Sequence, residues 1–491
     1  MRALFDRVLP VLAVVLVLAS LWQLEGARRG VEITNGSVGQ TPVISYTIAD
    51  ANGPVVVIAH GFAGSAQMMQ AYALTLARSG YRVHSFDFLG HGRNPVPMSG
   101  DVTVIDGTTR LLVEQTLDVV AAVGDADVPV AVLGHSMATD VLIRAALDDR
   151  ANIGPLVLLS AFSQAVTEAE PADMLLISGQ WEGHLRAFGL EAVQMVQLDA
   201  VEDAVVQADG VIRMAMAAPY TEHVSILHSK AGQIAARDWL NRAFSHEGAA
   251  ARPVSGWWLM ALLAGIVALA RPLARLLPTG ARVAVNLPTR EVWLLALVPA
   301  VSVPVVATYL DVRLLPVMVA DYLALHLFLT GMVQLGILWR VGVRVGAISA
   351  LGVAAILVWG LGAFGLALDR YGANFVPTSE RLWVIAALCI GTLPFMVADA
   401  LVSRGGDAPL WQRLVLRVAF FASLMWAVYL DFEGLFFLIL IAPVMVLFYI
   451  VFGLMGRWVA QRAGPLTSGA GLGLILAWAL GVSFPFFAVG G

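Results

Sequence analysis

Lysine and cysteine each occur once in the 491 residues, as Lys230 and Cys389. A single thiol rules out an intrachain disulfide and a metal–thiolate cluster. The basic residues are almost all arginine, they form no block of the kind that binds nucleic acid, and the formal net charge is only −5. Charge of either sign is scarce: 13% of residues are charged and 59% hydrophobic, with a mean hydropathy of +0.79. Soluble domains carry roughly a quarter charged residues, so part of this chain is expected to live in lipid. Its length predicts at least two domains.

The apolar content is unevenly spread. Residues 1–30 hold a first run, VLPVLAVVLVLASLWQL (Val8–Leu24), about 25 Å long as a helix. No clear A-x-A cleavage site follows it, which favours a transmembrane signal anchor over a cleaved signal peptide. Residues 31–244 are of mixed polarity and read as a globular α/β domain. A polar, small-residue linker at 245–255 leads into a different second half, residues 256–491. There about eight apolar stretches lie near 256–274, 291–310, 314–339, 345–368, 382–402, 414–430, 433–456 and 469–488. Each approaches or exceeds the roughly 20 residues that cross a bilayer. Trp257, Trp258, Trp339, Trp383, Trp411 and Trp458 fall near their ends, as interfacial anchors do. One such run alone would suit a buried core helix, but the succession predicts an all-α transmembrane bundle.

Arginine placement sets the expected orientation. With a cytoplasmic N-terminus, the inner breaks hold Arg271, Arg275, Arg282, Arg290, Arg340, Arg344, Arg404, Arg413, Arg457 and Arg462. The outer breaks hold Arg313, Arg370 and Arg381 among Asp311, Asp369, Glu380, Asp431 and Glu433. This follows the positive-inside rule and puts the globular domain on the extracytoplasmic face, in a plasma membrane or bacterial inner membrane.

Within residues 31–244, strand-like and helix-like stretches alternate. PVVVIAHG is a continuous apolar run ending in glycine, as a buried parallel strand does. A helical AQMMQAYALTLARSG follows, then strand YRVHSFD, a helix near Thr109–Val123, strand VPVAVLG and a helix from Met137 to Leu147. Strands GPLVLLSA, ADMLLISG and VIRMAMAA complete the series. The alternation predicts a mostly parallel sheet with helices on both faces.

Three motifs sit at the carboxyl ends of these strands: HGFAGS (His60–Ser65), the loop within GYRVHSFDFLGHGRN (Gly80–Asn94), and GHSMA (Gly134–Ala138). Together and in this order they resemble the α/β-hydrolase superfamily over roughly residues 50–244. The resemblance implies that GHSMA is a nucleophile elbow with Ser136 as nucleophile, although alanine replaces the last glycine of G-x-S-x-G. A strand-to-helix turn exposes the serine Oγ and leaves the next N–H, that of Met137, unpaired at a helix N-terminus. The second oxyanion donor is expected to be the Phe62 N–H of the HGF loop. Gly61, His60, His91 and His135 are expected to shape the site, His135 in a structural role.

In this superfamily the acid and base follow the serine in the order Ser…Asp/Glu…His. Beyond strand ADMLLISG only Glu182, in GQWEGH, is placed to be the acid; Asp173 starts that strand, and Glu168 and Glu170 precede it. For the base, His223 falls a few residues after the last strand, whereas His228 abuts the helix beginning near Ser229 and His184 is too close to the acid. A short link joins LLSAFS to Pro171, the usual place for a lid, so an open pocket is expected. In the second half, Asp321, His326 and Asp399 are ionisable residues inside apolar runs, where they either line a pathway or pair within the bundle.

The sequence therefore predicts a membrane-bound serine hydrolase cleaving a carboxylic ester, or a thioester or amide, outside the cytoplasm through Ser136, His223 and Glu182. Its expected partners are an acyl ester substrate and the lipid bilayer, with no nucleic acid; no metal or organic cofactor is implied. An acyltransferase built on the same acyl-enzyme, and a transporter or assembly protein with a non-catalytic hydrolase-like domain, are the competing readings.

Overall fold

The computed structural model describes residues 2–101, 105–148, 150, 152–248, 252–280, 287–343 and 346–488. Arg282, Arg344 and part of the expected linker lie outside them. The described residues form two compact units. One holds Ala19–Met260, Leu368–Asn374 and residues 485–488; the other holds residues 2–18, Ala261–Ala367 and Phe375–Phe484.

The chain opens with helix α1 (Arg2–Arg28). The first unit is then built on nine strands: β1 (Val31–Val38), β2 (Thr41–Ile48), β3 (Val55–Ala59), β4 (Arg82–Phe86), β5 (Val130–His135), β6 (Ile153–Leu159), β7 (Asp173–Gly179), β8 (Val206–Ala208) and β9 (Val211–Ala218). Their order in the sheet is β1-β2-β4-β3-β5-β6-β7-β9-β8. The stretch from β4 through β9 is parallel throughout, and β1, β2 and β8 add antiparallel edges. All six stretches read as strands from sequence are strands.

Between them run helices α2 (Gln70–Arg78), α3 (Arg110–Val123), α4 (Met137–Ala146), α5 (Gly183–Gln194) and α6 (Lys230–Phe244). Every residue of β3 and β5 is buried, so both faces of the sheet centre are covered. That is why these strands read as unbroken apolar runs rather than alternating ones. On one face Val56, Ile58, Ala131 and Leu133 pack with Tyr72 and Leu76 of α2 and Trp239 and Leu240 of α6.

The hairpin β1–β2 and helix α5 were not legible as elements. β1, VEITNGSV, is mostly exposed and carries almost no apolar signal. In β2 the alternation is present, with Val43 and Tyr46 buried, but polar residues interrupt it. In β9 the fully buried Arg213 donates to the carbonyls of Thr167 (2.7 Å), Ala192 (2.9 Å) and Pro171 (3.1 Å). Burial pulls its pKa down to about 10, and the carbonyls replace the lost water. These bonds pin the short link before β7, where no lid is inserted.

Nine helices among the described residues are long and apolar enough to cross a membrane. They are Val8–Arg28 and, in the second half, Trp257–Ala274, Thr289–Leu310, Ala320–Arg340, Ala350–Tyr371, Ser379–Val402, Leu410–Leu430, Leu438–Ala463 and Pro465–Ser483. The seventh stretch starts later than its apolar run suggests, because Asp431 accepts from the Gly434 N–H and caps a separate short turn, Phe432–Leu435. Helix Ser379–Val402 meets its neighbours through small residues. A Cβ on Gly391 would lie 2.2 Å from the Ala324 carbonyl oxygen, and one on Gly469 2.6 Å from the Val397 Cα. Such close backbone approach is how apolar helices associate without a hydrophobic driving force.

His326, Asp399 and Asp321 each have a partner within this unit. His326 lies between Ser423 Oγ (2.9 Å) and Tyr322 Oη (3.2 Å). Asp399 meets Arg417 at 3.3 Å, and Asp321 accepts from the Leu315 N–H at 2.8 Å. These are the contacts of packing pairs and of a loop fastened to the first turn of a helix, and they give each ionisable group a local partner.

Candidate active site

β5 delivers the chain to Ser136 at the carboxyl edge of the sheet, and α4 begins at the next residue. Ser136 adopts φ 54° and ψ −120°, a backbone region costing a non-glycine residue about 1–3 kcal/mol. Surrounding bonds hold it there. The Ser136 N–H donates to Leu159 O at 2.9 Å, and Ser136 O accepts from the Thr139 hydroxyl at 2.7 Å. The crowding that demands small residues is explicit at Gly134: a Cβ there would lie 3.2 Å from Ala138 Cβ and 2.6 Å from Leu142 Cδ1. With Gly134 retained, the Ala138 methyl fits fully buried where the common motif has glycine.

The structure brings Ser136, His223 and Glu182 together. Ser136 Oγ lies 2.9 Å from His223 Nε2, and His223 Nδ1 lies 2.6 Å from Glu182 Oε1. A carboxylate only accepts, so Nδ1 carries the ring proton and Nε2 is free to accept from the serine. Glu182 follows β7 as the residue before α5, and its second oxygen accepts from Ser160 Oγ at 2.7 Å and the Gly179 N–H at 2.5 Å. Burial raises its pKa, but the hydrogen bonds from His223, Ser160 and Gly179 outweigh it and leave a net lowering. The extra methylene of glutamate is thus taken up by a turn that fixes both oxygens.

His223 lies between β9 and the turn Ser225–His228. Its carbonyl oxygen is 2.7 Å from His135 Nε2, which must therefore be the protonated nitrogen of that ring. Burial first, and then the neighbouring His223, lower the His135 pKa to about 4, so the ring is neutral near pH 7. His135 thus donates to the backbone of the histidine loop.

The HGF loop abuts the elbow. A Cβ on Gly61 would sit 3.0 Å from Ser136 Cβ and 2.9 Å from His135 Nδ1, so only glycine admits this approach. Phe62, next in sequence, packs edge-on against His91 with ring centres 5.5 Å apart. His60 accepts from the Phe88 N–H at Nε2 (3.1 Å), which leaves Nδ1–H to donate to Gly61 O (2.7 Å). Burial lowers the His60 pKa and keeps the ring in this neutral form. His91 Nδ1 lies 2.8 Å from Leu89 O. These rings brace the backbone that bears Phe62. Met137 is the first residue of α4, on the opposite side of Ser136 in the chain.

The rejected candidates lie elsewhere. Asp173 pairs with Arg242 at 2.7 Å, Glu168 and Glu170 are exposed, and His228 packs where a Gly256 Cβ would touch it at 2.6 Å. Nothing in the sequence points to Ser160, and Asp87 stands in the Gly80–Asn94 motif without a role. Ser160 shares the positive φ (52°) of a strand-end turn, a signal visible only in the backbone. Asp87 accepts from the N–H groups of Ala66 (2.7 Å) and Arg93 (2.9 Å), joining the HGF loop to the loop after β4. Among the described residues no group of three or more His, Cys, Asp or Glu side chains is arranged to hold a metal ion.

Parallel sheet, elbow and flanking loops have the form of an α/β-hydrolase domain, and the family comparison agrees. Residues 50–245 match the family Serine aminopeptidase, S33. A protein of Variovorax paradoxus named "Putative carbamate hydrolase RutD" is 30% identical over 114 residues, 23% of this chain and 40% of that protein. The chain thus spans about 40% of the length of this curated relative. Among solved structures, a "predicted CIB-like hydrolase" from Thermoplasma acidophilum is 16% identical with a TM-score of 0.35, covering 43% of this chain and 100% of that one. An epoxide hydrolase from an endophytic Streptomyces is 24% identical with a TM-score of 0.23, covering 27% and 38%.

Proposed function

We propose that the chain is a membrane-bound serine hydrolase that cleaves carboxylic esters on the extracytoplasmic face. The observation that carries this reading is the unbroken chain Ser136 Oγ–His223–Glu182, with bonds of 2.9 and 2.6 Å, around a serine held at positive φ. Ser136 Oγ attacks the ester carbonyl as its proton passes to His223 Nε2, and Glu182 stabilises the imidazolium through Nδ1–H. The N–H groups of Phe62 and Met137 receive the oxyanion, each worth about 3–4 kcal/mol of transition-state stabilisation. The proton then leaves with the alcohol, and water repeats the sequence on the acyl-enzyme. A carbamate, the substrate class named for the Variovorax relative, passes through the same kind of oxyanion and suits the same residues.

The segments after β7 and β9, which bear Glu182 and His223, and the neighbouring segment after β6 carry exposed aromatic side chains. Phe162, Trp181 and Tyr220 are 57%, 66% and 81% exposed, on the segments that follow β6, β7 and β9. That rim suits an apolar acyl or alcohol group on the substrate. A p-nitrophenyl ester series from acetate to palmitate, run on the full-length protein and on Ser136→Ala, tests the proposal. Turnover that survives in Ser136→Ala would rule this serine out.

A further inference from the structure

The loops around Ser136 are tied down by residues drawn from the second half of the chain. Leu368–Asn374 and residues 485–488 belong to the same compact unit as the hydrolase domain, although they are far from it in sequence. A closed ring of hydrogen bonds results. The Asn374 N–H donates to Ser65 Oγ at 3.1 Å. The next N–H, that of Ala66, donates to Asp87 Oδ1 at 2.7 Å, and Asp87 Oδ2 accepts from the Arg93 N–H at 2.9 Å. Arg93 Nε returns to Asn374 Oδ1 at 3.2 Å, while its Nη2 pairs with Asp369 at 2.7 Å.

Ser65, Asp87 and Asn374 are 2%, 2% and 8% exposed, so most of the ring is shielded from competing water. Around it, Gln70 at the start of α2 donates to Arg370 O at 3.1 Å, and Arg370 pairs with Glu25 at 2.7 Å. The last described residues grip the other end of the post-β4 loop. Phe486 N–H donates to Gly90 O at 2.8 Å, and Met98 N–H donates to Phe486 O at 2.8 Å. Segments serving only as connections have no need of so many bonds to two loops; one of these loops lies against the candidate nucleophile at Gly61, and the other packs on it through His91 and Asp87.

We infer that Asp369 and Asn374, acting through Arg93, are positioning residues for the oxyanion-binding loop, so that the second half of the chain completes the hydrolase site. The inference rests on the reading of Phe62 and Ser136 as catalytic. Ordering the His60–Ser65 loop in advance fixes the Phe62 N–H before substrate arrives; a displacement of about 1 Å at such a donor costs up to a hundredfold in rate.

The test uses the full-length protein in lipid nanodiscs, with Asp369→Asn, Asn374→Ala and Asp369→Glu. Two readouts are taken: kcat and KM on p-nitrophenyl acetate, and hydrogen–deuterium exchange of backbone amides in residues 60–66 and 87–94. Asp369→Asn and Asn374→Ala should lower kcat roughly tenfold with KM within about twofold, and Asp369→Glu should recover part of the loss. Exchange in the two loops should quicken in the first two variants while β5 and β6 keep wild-type protection. Wild-type kcat and wild-type exchange in both variants would overturn the inference. An inert wild-type enzyme would defeat the hydrolase reading instead, and loop exchange alone would then decide whether the clamp exists.

Discussion

Replacing Glu182 with glutamine changes one oxygen to an amide and leaves the shape of the site intact. The Gly179 N–H and the Ser160 hydroxyl both donate to Oε2, so the amide oxygen takes that position and the NH2 group faces His223. His223 Nδ1 must then accept, its proton moves to Nε2, and Nε2–H points at Ser136 Oγ, which it can no longer deprotonate. The wild-type bond, 2.6 Å between Nδ1 and Oε1, also holds the imidazolium that forms during attack, and the neutral amide gives no such support. A tautomer reversal of this kind costs roughly 10³–10⁴-fold in kcat, about 4–5.5 kcal/mol. KM should change little, because the glutamine keeps the Gly179 and Ser160 bonds, and the melting temperature should fall only modestly with the loss of the charge. The assay is steady-state hydrolysis of p-nitrophenyl acetate by full-length Glu182→Gln beside wild type, with a melting curve for each. A kcat within tenfold of wild type would refute the tautomer argument and the assignment of Glu182.

Three other perturbations bear on the HGF loop, the buried histidines and the orientation of the chain. Gly61→Ala puts a methyl carbon 3.0 Å from Ser136 Cβ and 2.9 Å from His135 Nδ1; kcat should fall at least a hundredfold, and an active Gly61→Ala would show that the HGF loop is not at the reacting centre. The second prediction concerns pH. Burial lowers the pKa of His135 to about 4, of His84 to about 4, and also lowers that of His60. The unfolded chain binds these protons first, so the stability contributed by the neutral rings is full above about 6.5 and declines as pH falls toward 4. The lowered pKa of Glu182 adds in the same direction, since its contribution is present above the ordinary carboxylate pKa and is lost as pH falls through the folded value. Thermal melts of the hydrolase unit should therefore drop between pH 7 and pH 5; a flat profile would contradict the neutral rings. Third, a compartment-sensitive reporter fused after Phe244 should be active only outside the cytoplasm, and cytoplasmic activity would invert the proposed orientation.

The core of the fold was legible because the physics that makes it is local. A strand buried on both faces must be apolar along its length, as VVVIA of β3 is, and a crowded elbow must be small at Gly134 and Ala138. The apolar helices announce themselves in the same way, through length and composition. The order of motifs along the chain narrowed the acid and base to Glu182 and His223, and the coordinates bring both within hydrogen-bonding distance of one another. What escaped depends on distant partners. Ser160 matters because β6 and β7 are neighbours, so its turn ends beside Glu182. Asp369 and Asn374 matter because the chain returns to Arg93 and Ser65 after some three hundred residues, and no local pattern encodes a return. The strands β1 and β2 escaped for a different reason: a hairpin at a sheet edge needs few apolar residues, and β1 has few.

A serine activated by His223 and Glu182 reacts with an electrophilic phosphorus probe, so covalent labelling reads the nucleophilicity of Ser136 itself. Full-length wild type, Ser136→Ala and Glu182→Gln would be incubated with a fluorophosphonate probe in lipid nanodiscs, and the modified peptide mapped by mass spectrometry. Rapid modification is expected at Ser136 in wild type, slow modification in Glu182→Gln, and none at this site in Ser136→Ala. Equal labelling of wild type and Ser136→Ala, or a label mapped to another serine, would contradict the assignment of Ser136 as nucleophile.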